Sequence, residues 1–156
     1  MALFRTLPVL LLAAACTPSS PLKGPGLNDD GSLRIDADGP FLVVVTHTKI
    51  AKGERKAFNE HVEAVDEQLD AQSGFVARSL RAEMFGRERW TMTVWTDELS
   101  MLDFVTSGAH VQAMQDTATV LDGLHTASFE VSKADMPPTW DQALAELDVV
   151  EPDPAF

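Results

Sequence analysis

The sequence predicts an α+β domain with the ferredoxin-like order β-α-β-β-α-β. Three observations carry this. A β-branched apolar run stands at Phe41–Thr48, two alternating segments meet at Gly86-Arg87, and helical apolar spacing recurs on either side of that pair. A length of 156 residues with 45% apolar content supports one domain with its own core.

Phe41 to Thr48 (FLVVVTHT) reads as a central strand. Gly53 and Glu54 open a helix to about Leu69, with Phe58, Val62, Val65 and Leu69 on one stripe, and Ser73-Gly74 ends it. Phe75–Phe85 and Glu88–Thr96 form a hairpin through Gly86-Arg87. Asp97 suits the N-cap of a helix carrying Met101, Leu102, Phe104 and Val105; Gly108 interrupts it, and a second piece runs from about Ala109 to Leu121. His125–Ser132 (HTASFEVS) alternates as the last strand. After Pro137-Pro138, Thr139 and Gln142 form a capping box for a short helix with Trp140, Leu144 and Leu147 inward. The domain is bounded at 41–150, and the polar tail covers 151–156.

Residues 1–15 form a targeting segment. Arg5 supplies a positive start, and Leu7–Ala15 is apolar but shorter than the roughly 20 residues a span requires. Ala13, Ala14 and Ala15 precede Cys16, an ending that resembles the lipobox of bacterial lipoproteins, although Ala13 stands where leucine is usual. The resemblance implies a diacylated Cys16 as mature N-terminus, attachment to the membrane through that lipid, and a place in the bacterial cell envelope. Thr17 at the following position favours the outer membrane, facing the periplasm. Residues 17–40, rich in proline and glycine, read as a flexible linker.

The net charge of −12 speaks against a nucleic-acid partner, which needs a basic patch. Strand alternation sorts the sheet into two sets of side chains. The more apolar set (Val43, Val45, Trp90, Met92, Val94, Ala127, Phe129) is expected under the helices. The other holds Thr46, Thr48, Thr91, Thr93, Trp95, Thr126 and Ser128, with Leu42 and Val44, and is expected to be a cavity wall closed by a second copy in a homodimer.

The central stretch resembles the antibiotic biosynthesis monooxygenase-like family. The matching signs are Gly74-Phe75, Thr93-Val94-Trp95 followed by Asp97-Glu98, and Phe104 leading to Ser107-Gly108-Ala109-His110. The resemblance covers about residues 41 to 133 and implies a dimeric α+β barrel. It also implies cofactor-free oxygenation as one of several activities known on this fold. Its haem-degrading branch places asparagine, tryptophan and histidine where this chain has Thr46, Trp95 and Met114, with His110 one turn before the last. Only the tryptophan carries over, so no cofactor is expected and haem is disfavoured.

Trp95, His110 and Thr46 are the candidate catalytic residues, with Thr93, Thr91, Thr48 and Ser128 as ligand-binding residues. An indole stacks on flat substrates, a histidine serves as base, and hydroxyls hold ligand oxygens. His47 is a second candidate base, expected on the helix side by alternation. The four histidines lack zinc-ligand spacing, so no metal is expected. The reading is a lipid-anchored envelope protein whose barrel binds a small aromatic molecule, as a cofactor-free monooxygenase or, alternatively, as a non-enzymatic module keeping only the fold.

Overall fold

The computed structural model describes residues 17–150; the expected signal segment, Cys16 and the tail 151–156 lie outside them. Four strands, β1 (Phe41–Ile50), β2 (Phe75–Ala82), β3 (Glu88–Trp95) and β4 (Leu121–Val131), form one antiparallel sheet in the order β2-β3-β1-β4. α1 (Arg55–Ala71) follows β1. α2 (Glu98–Val105), α3 (Gly108–Gln115) and the single turn α4 (Thr117–Val120) follow β3, and α5 (Trp140–Val149) closes the described chain. This is the ferredoxin-like α+β fold.

Local chemistry sets the boundaries. The Asp97 carboxylate accepts from the Ser100 amide at 2.8 Å and starts α2. Thr139 and Gln142 form the reciprocal capping box that starts α5. The break between α2 and α3 falls at Gly108, whose φ of +55° is left-handed and costs glycine little. Its orphaned backbone groups are met from α1. The Gln68 amide donates to the Phe104 and Ser107 carbonyls, both at 3.2 Å, and accepts from the His110 amide at 2.9 Å.

Both faces of the sheet are covered, and the expected assignment of faces is reversed. The apolar set (Val43, Val45, Met92, Val94, Ala127, Val131) packs with Ala143 and Leu147 of α5 and with Leu27 of the N-terminal segment. α1, α2 and α3 lie over the opposite set, where Leu42, Val44 and Trp95 meet Val65, Leu69, Met101 and Phe104. Alternation separates two sets of side chains; it does not say which layer each one meets. α5 and the N-terminal segment supply the apolar cover that was expected of α1 and α2. The hydroxyl-bearing wall is therefore roofed by the chain's own helices and not by a second copy.

Residues 17–40 pack against the domain, contrary to the expected flexible linker. They run antiparallel along the edge of β2, with the Lys23 amide donating to the Arg78 carbonyl at 2.9 Å and the reverse bond at 2.8 Å. The Ser20 and Gly26 amides donate to the Leu80 and Val76 carbonyls at 2.7 and 2.9 Å. Backbone pairing of this kind needs no apolar composition. The segment then carries Leu27, 6% exposed, and the half-buried Leu33, Ile35 and Ala37 into the core, alternating with exposed Arg34, Asp36 and Asp38. Gly24 makes this approach possible, since a Cβ there would lie 2.4 Å from the Val76 carbonyl oxygen. The segment is tied to α5 as well. Ser79, 1% exposed, donates to the Ser20 carbonyl at 2.6 Å and accepts from the Trp140 indole N–H at 3.0 Å.

Candidate functional site

Between the sheet and the roof of α1, α2 and α3 lies a cavity of about 410 Å³. Its floor is a patch of hydroxyls from three strands: Thr46 and Thr48 of β1, Thr91 and Thr93 of β3, and Thr126 and Ser128 of β4. Register explains their convergence. Thr46 stands opposite both Thr91 and Thr126, and Val44 stands opposite both Thr93 and Ser128. Side chains two residues apart on neighbouring strands therefore share one face. The roof is mainly apolar, with Phe58, Val62, Val65, Met101 and Phe104.

All the residues expected to act, Trp95, His110, Thr46, Thr93, Thr91, Thr48 and Ser128, line this one cavity. Their states differ. Trp95 is 1% exposed and packed between Phe75 and Phe104, with ring centroids at 5.4 and 5.2 Å. Its indole N–H donates to the Thr93 hydroxyl at 3.0 Å. Trp95 thus builds the end wall and orients Thr93, leaving its N–H engaged. Thr126 donates to Thr46 at 3.3 Å, which leaves the Thr46 proton free for a ligand oxygen.

His110 is the best-placed base. Its backbone is fixed by Gln68, its ring tilts against Phe104 at 4.9 Å, and its Nδ1 lies 3.2 Å from the Val105 carbonyl oxygen. A carbonyl only accepts, so the neutral ring carries its proton on Nδ1 and presents Nε2 as a lone pair. Nε2 has no hydrogen-bond partner among the described residues. Burial pushes the imidazole below its ordinary value of 6.5, with the Val105 carbonyl pulling weakly the other way.

Three further groups lie on the wall: His61 and Asp66, which the sequence did not mark as site residues, and Arg78, which with Arg81 reads in the sequence as an anion-binding candidate or, more plainly, an exposed strand charge. His61 of α1 lies with Nε2 3.3 Å from Asp116 Oδ2. Asp66 and Arg78 line the β2 side, with Arg78 Nε 3.2 Å from Asp66 and Nη1 2.6 Å from Asp70. Burial pushes the Asp66 carboxyl up, Arg78 opposes the shift and Asp70 adds to it. The i, i+4 spacing of Val62 and Asp66 from the apolar stripe was the available signal, but it marks a helix boundary face as readily as a site. His47 points to the other face of the sheet, as alternation predicts. There it stacks on Trp90 at 4.7 Å and meets Glu88 at 2.7 Å, outside the cavity.

The residues do not fit haem. Met114 is 48% exposed where that branch has its histidine, and Arg78, the one guanidinium on the cavity wall, is already paired with two carboxylates. Among the described residues no group of three or more His, Cys, Asp or Glu is placed to hold a metal ion, and no helix is long and apolar enough to cross a membrane.

Residues 41–116 match the family model described as antibiotic biosynthesis monooxygenase. Solved structures share the fold at low identity. PA3566 from Pseudomonas aeruginosa is 12% identical over 60% of this chain and 95% of its own, with a TM-score of 0.55. SnoaB, a cofactor-independent oxygenase from Streptomyces nogalater, is 14% identical over 64% of this chain and 100% of its own, with a TM-score of 0.53. Rv0793 from Mycobacterium tuberculosis is 12% identical over 57% of this chain and 90% of its own, with a TM-score of 0.53. No curated protein matches in sequence. The chain therefore carries, over residues 41–116, the match to the antibiotic biosynthesis monooxygenase family, in that family's ferredoxin-like α+β fold.

Proposed function

We propose that the cavity binds a small, flat, largely apolar molecule bearing one or two oxygens, and that its reaction is cofactor-independent oxygenation. One observation carries the reading: an imidazole with a free Nε2 and a floor of hydroxyls meet under a mainly apolar roof. The hydroxyls of Thr46 and Ser128 would hold the ligand oxygens. His110 Nε2 would take a proton from an acidified aromatic C–H or O–H, leaving a delocalised anion that gives electrons to dioxygen. For a methylene between two rings, one oxygen atom ends as a carbonyl and the other leaves as water with the two methylene hydrogens. SnoaB, a cofactor-independent oxygenase on the same fold, supports this class.

The test is oxygen uptake with anthrone as probe, together with native mass spectrometry of the full chain from cells. Uptake that is lost in His110→Ala supports the oxygenase. Retained binding without uptake supports the second reading, a non-enzymatic envelope module, which the engaged Trp95 indole favours. Failure to bind any flat phenol rejects both. The proposal includes a homodimer and an anchor through acylated Cys16 in the cell envelope, probed by the same spectra as a doubled mass and an added diacylglyceryl mass.

A further inference from the structure

The hairpin tip between β2 and β3 carries Met84, 57% exposed, and Phe85, 94% exposed and the barest large apolar side chain among the described residues. Nothing within the hairpin explains two adjacent bare apolar groups, and folding gains nothing from them. The N-terminal segment starts at this same end. The Thr17 hydroxyl accepts from Arg81 Nη2 at 2.7 Å, and the Pro18 carbonyl accepts from the Ala82 amide at 3.2 Å, two residues before Met84. The described residues therefore begin beside the tip, at Thr17, the residue that follows Cys16 in the sequence.

Arginines and an indole stand at this end, interleaved with the carboxylates of Glu83 and Glu88. On a chain of net charge −12, Arg55 donates to the Gly86 carbonyl at 2.9 Å and Arg89 to the Glu83 carbonyl at 3.2 Å. Arg81 lies 5.9 Å from the ring centre of the half-buried Trp90. Apolar side chains at a tip, an indole just behind them and arginines around both are the chemistry that enters a membrane interface. The first insert below the headgroups, the second sits at their level, and the third meet lipid phosphates.

We propose that Met84 and Phe85 insert into a lipid bilayer, so that the domain lies directly on the membrane surface at its β2–β3 end. The inference rests on the anchoring reading above. Packing of residues 17–40 against β2 makes it specific, because a docked segment holds the tip against the surface where a free tether would let it hang away.

The test places a nitroxide at Phe85→Cys in the full chain. Ser73→Cys, exposed at the opposite end of β2, is the control. Both are reconstituted in vesicles of phosphatidylethanolamine and phosphatidylglycerol in equal parts. Power saturation with oxygen and with a water-soluble nickel chelate reads depth. The expected result is an oxygen-to-chelate collision ratio at residue 85 that rises when vesicles are added and stays unchanged at residue 73. An unchanged ratio at residue 85 overturns the proposal, as does a dipolar distance between labels on two copies, which would assign the tip to a dimer contact. The mass of the same preparation reports acylation of Cys16 separately. A bare Cys16 with a buried residue 85 removes the anchor and leaves the insertion standing. An acylated Cys16 with residue 85 in water removes the insertion and leaves the anchor.

Discussion

Replacing Gly24 by alanine gives opposite results for a docked and a free N-terminal segment. Gly24 does not occupy the left-handed region, so alanine is conformationally allowed. In an ordered segment with space, it would stabilise by about 0.4–1 kcal/mol through the unfolded chain, and in a free tether it would do nothing. The structure offers no space. The new methyl would lie 2.4 Å from the Val76 carbonyl oxygen and 2.5 Å from the Ala77 Cα, backbone atoms that cannot turn aside. The segment must lift, at about 1–3 kcal/mol for overpacking. Lifting also strains the paired Lys23–Arg78 hydrogen bonds, each contributing about 0.5–1.5 kcal/mol. A loss of about 2–3 kcal/mol lowers Tm by roughly 4–12 °C in a domain of this size. Thermal melting of the full chain reads the shift, and hydrogen exchange reads the Ser20, Lys23 and Gly26 amides. An unchanged Tm, with those amides exchanging as in an open chain in the wild type, would refute the docked segment.

Ser79→Ala leaves the Trp140 indole N–H and the Ser20 carbonyl without their shared partner, and urea unfolding should show a loss of about 1–3 kcal/mol with a shifted tryptophan emission. Gln68→Leu strands the Phe104 and Ser107 carbonyls and the His110 amide, costing about 2–3 kcal/mol and loosening the roof, seen as faster exchange of the His110 amide. His110→Gln tests the buried imidazole through pH. Folding depresses this group below 6.5, so on acidification the unfolded chain takes up a proton before the native one does. Native stability is therefore lost as pH falls from 6.5 toward the folded value, and the glutamine variant lacks that loss. Urea midpoints at about pH 7.5 and about pH 5 should fall less in the variant than in the wild type. An equal fall in both would place the ring in water.

The elements were legible because each rests on short-range chemistry. Asp97 and the Thr139/Gln142 box cap their helices as read, and Gly108 divides the second helix. The residues proposed for the site, His47 excepted, lie on the cavity, and alternation alone puts Thr46, Thr91, Thr93 and Ser128 on one side of the sheet. The covering layer was not legible. Which face α1 takes depends on where α5 and residues 17–40 go, and that is a competition between distant segments. Proline and glycine disguised the N-terminal segment as a linker, since its pairing uses backbone groups that composition does not report. The alternation of Leu33, Ile35 and Ala37 with Arg34, Asp36 and Asp38 was the signal that it lies on a sheet. Asp66 and Arg78, far apart in sequence, pair only after the fold is made.

Pairing of the N-terminal segment along β2 also decides how copies of this sheet can be joined. The N-terminal segment occupies the β2 edge, and among the described residues β4 is the edge of the four-stranded sheet that keeps its outer amides and carbonyls unpaired. A second copy aligned on β4 would meet the first about a twofold axis and pair that row on both. At the β2 side a partner strand would first have to displace the N-terminal segment, which guards the long regular edge of β2 against edge-to-edge stacking.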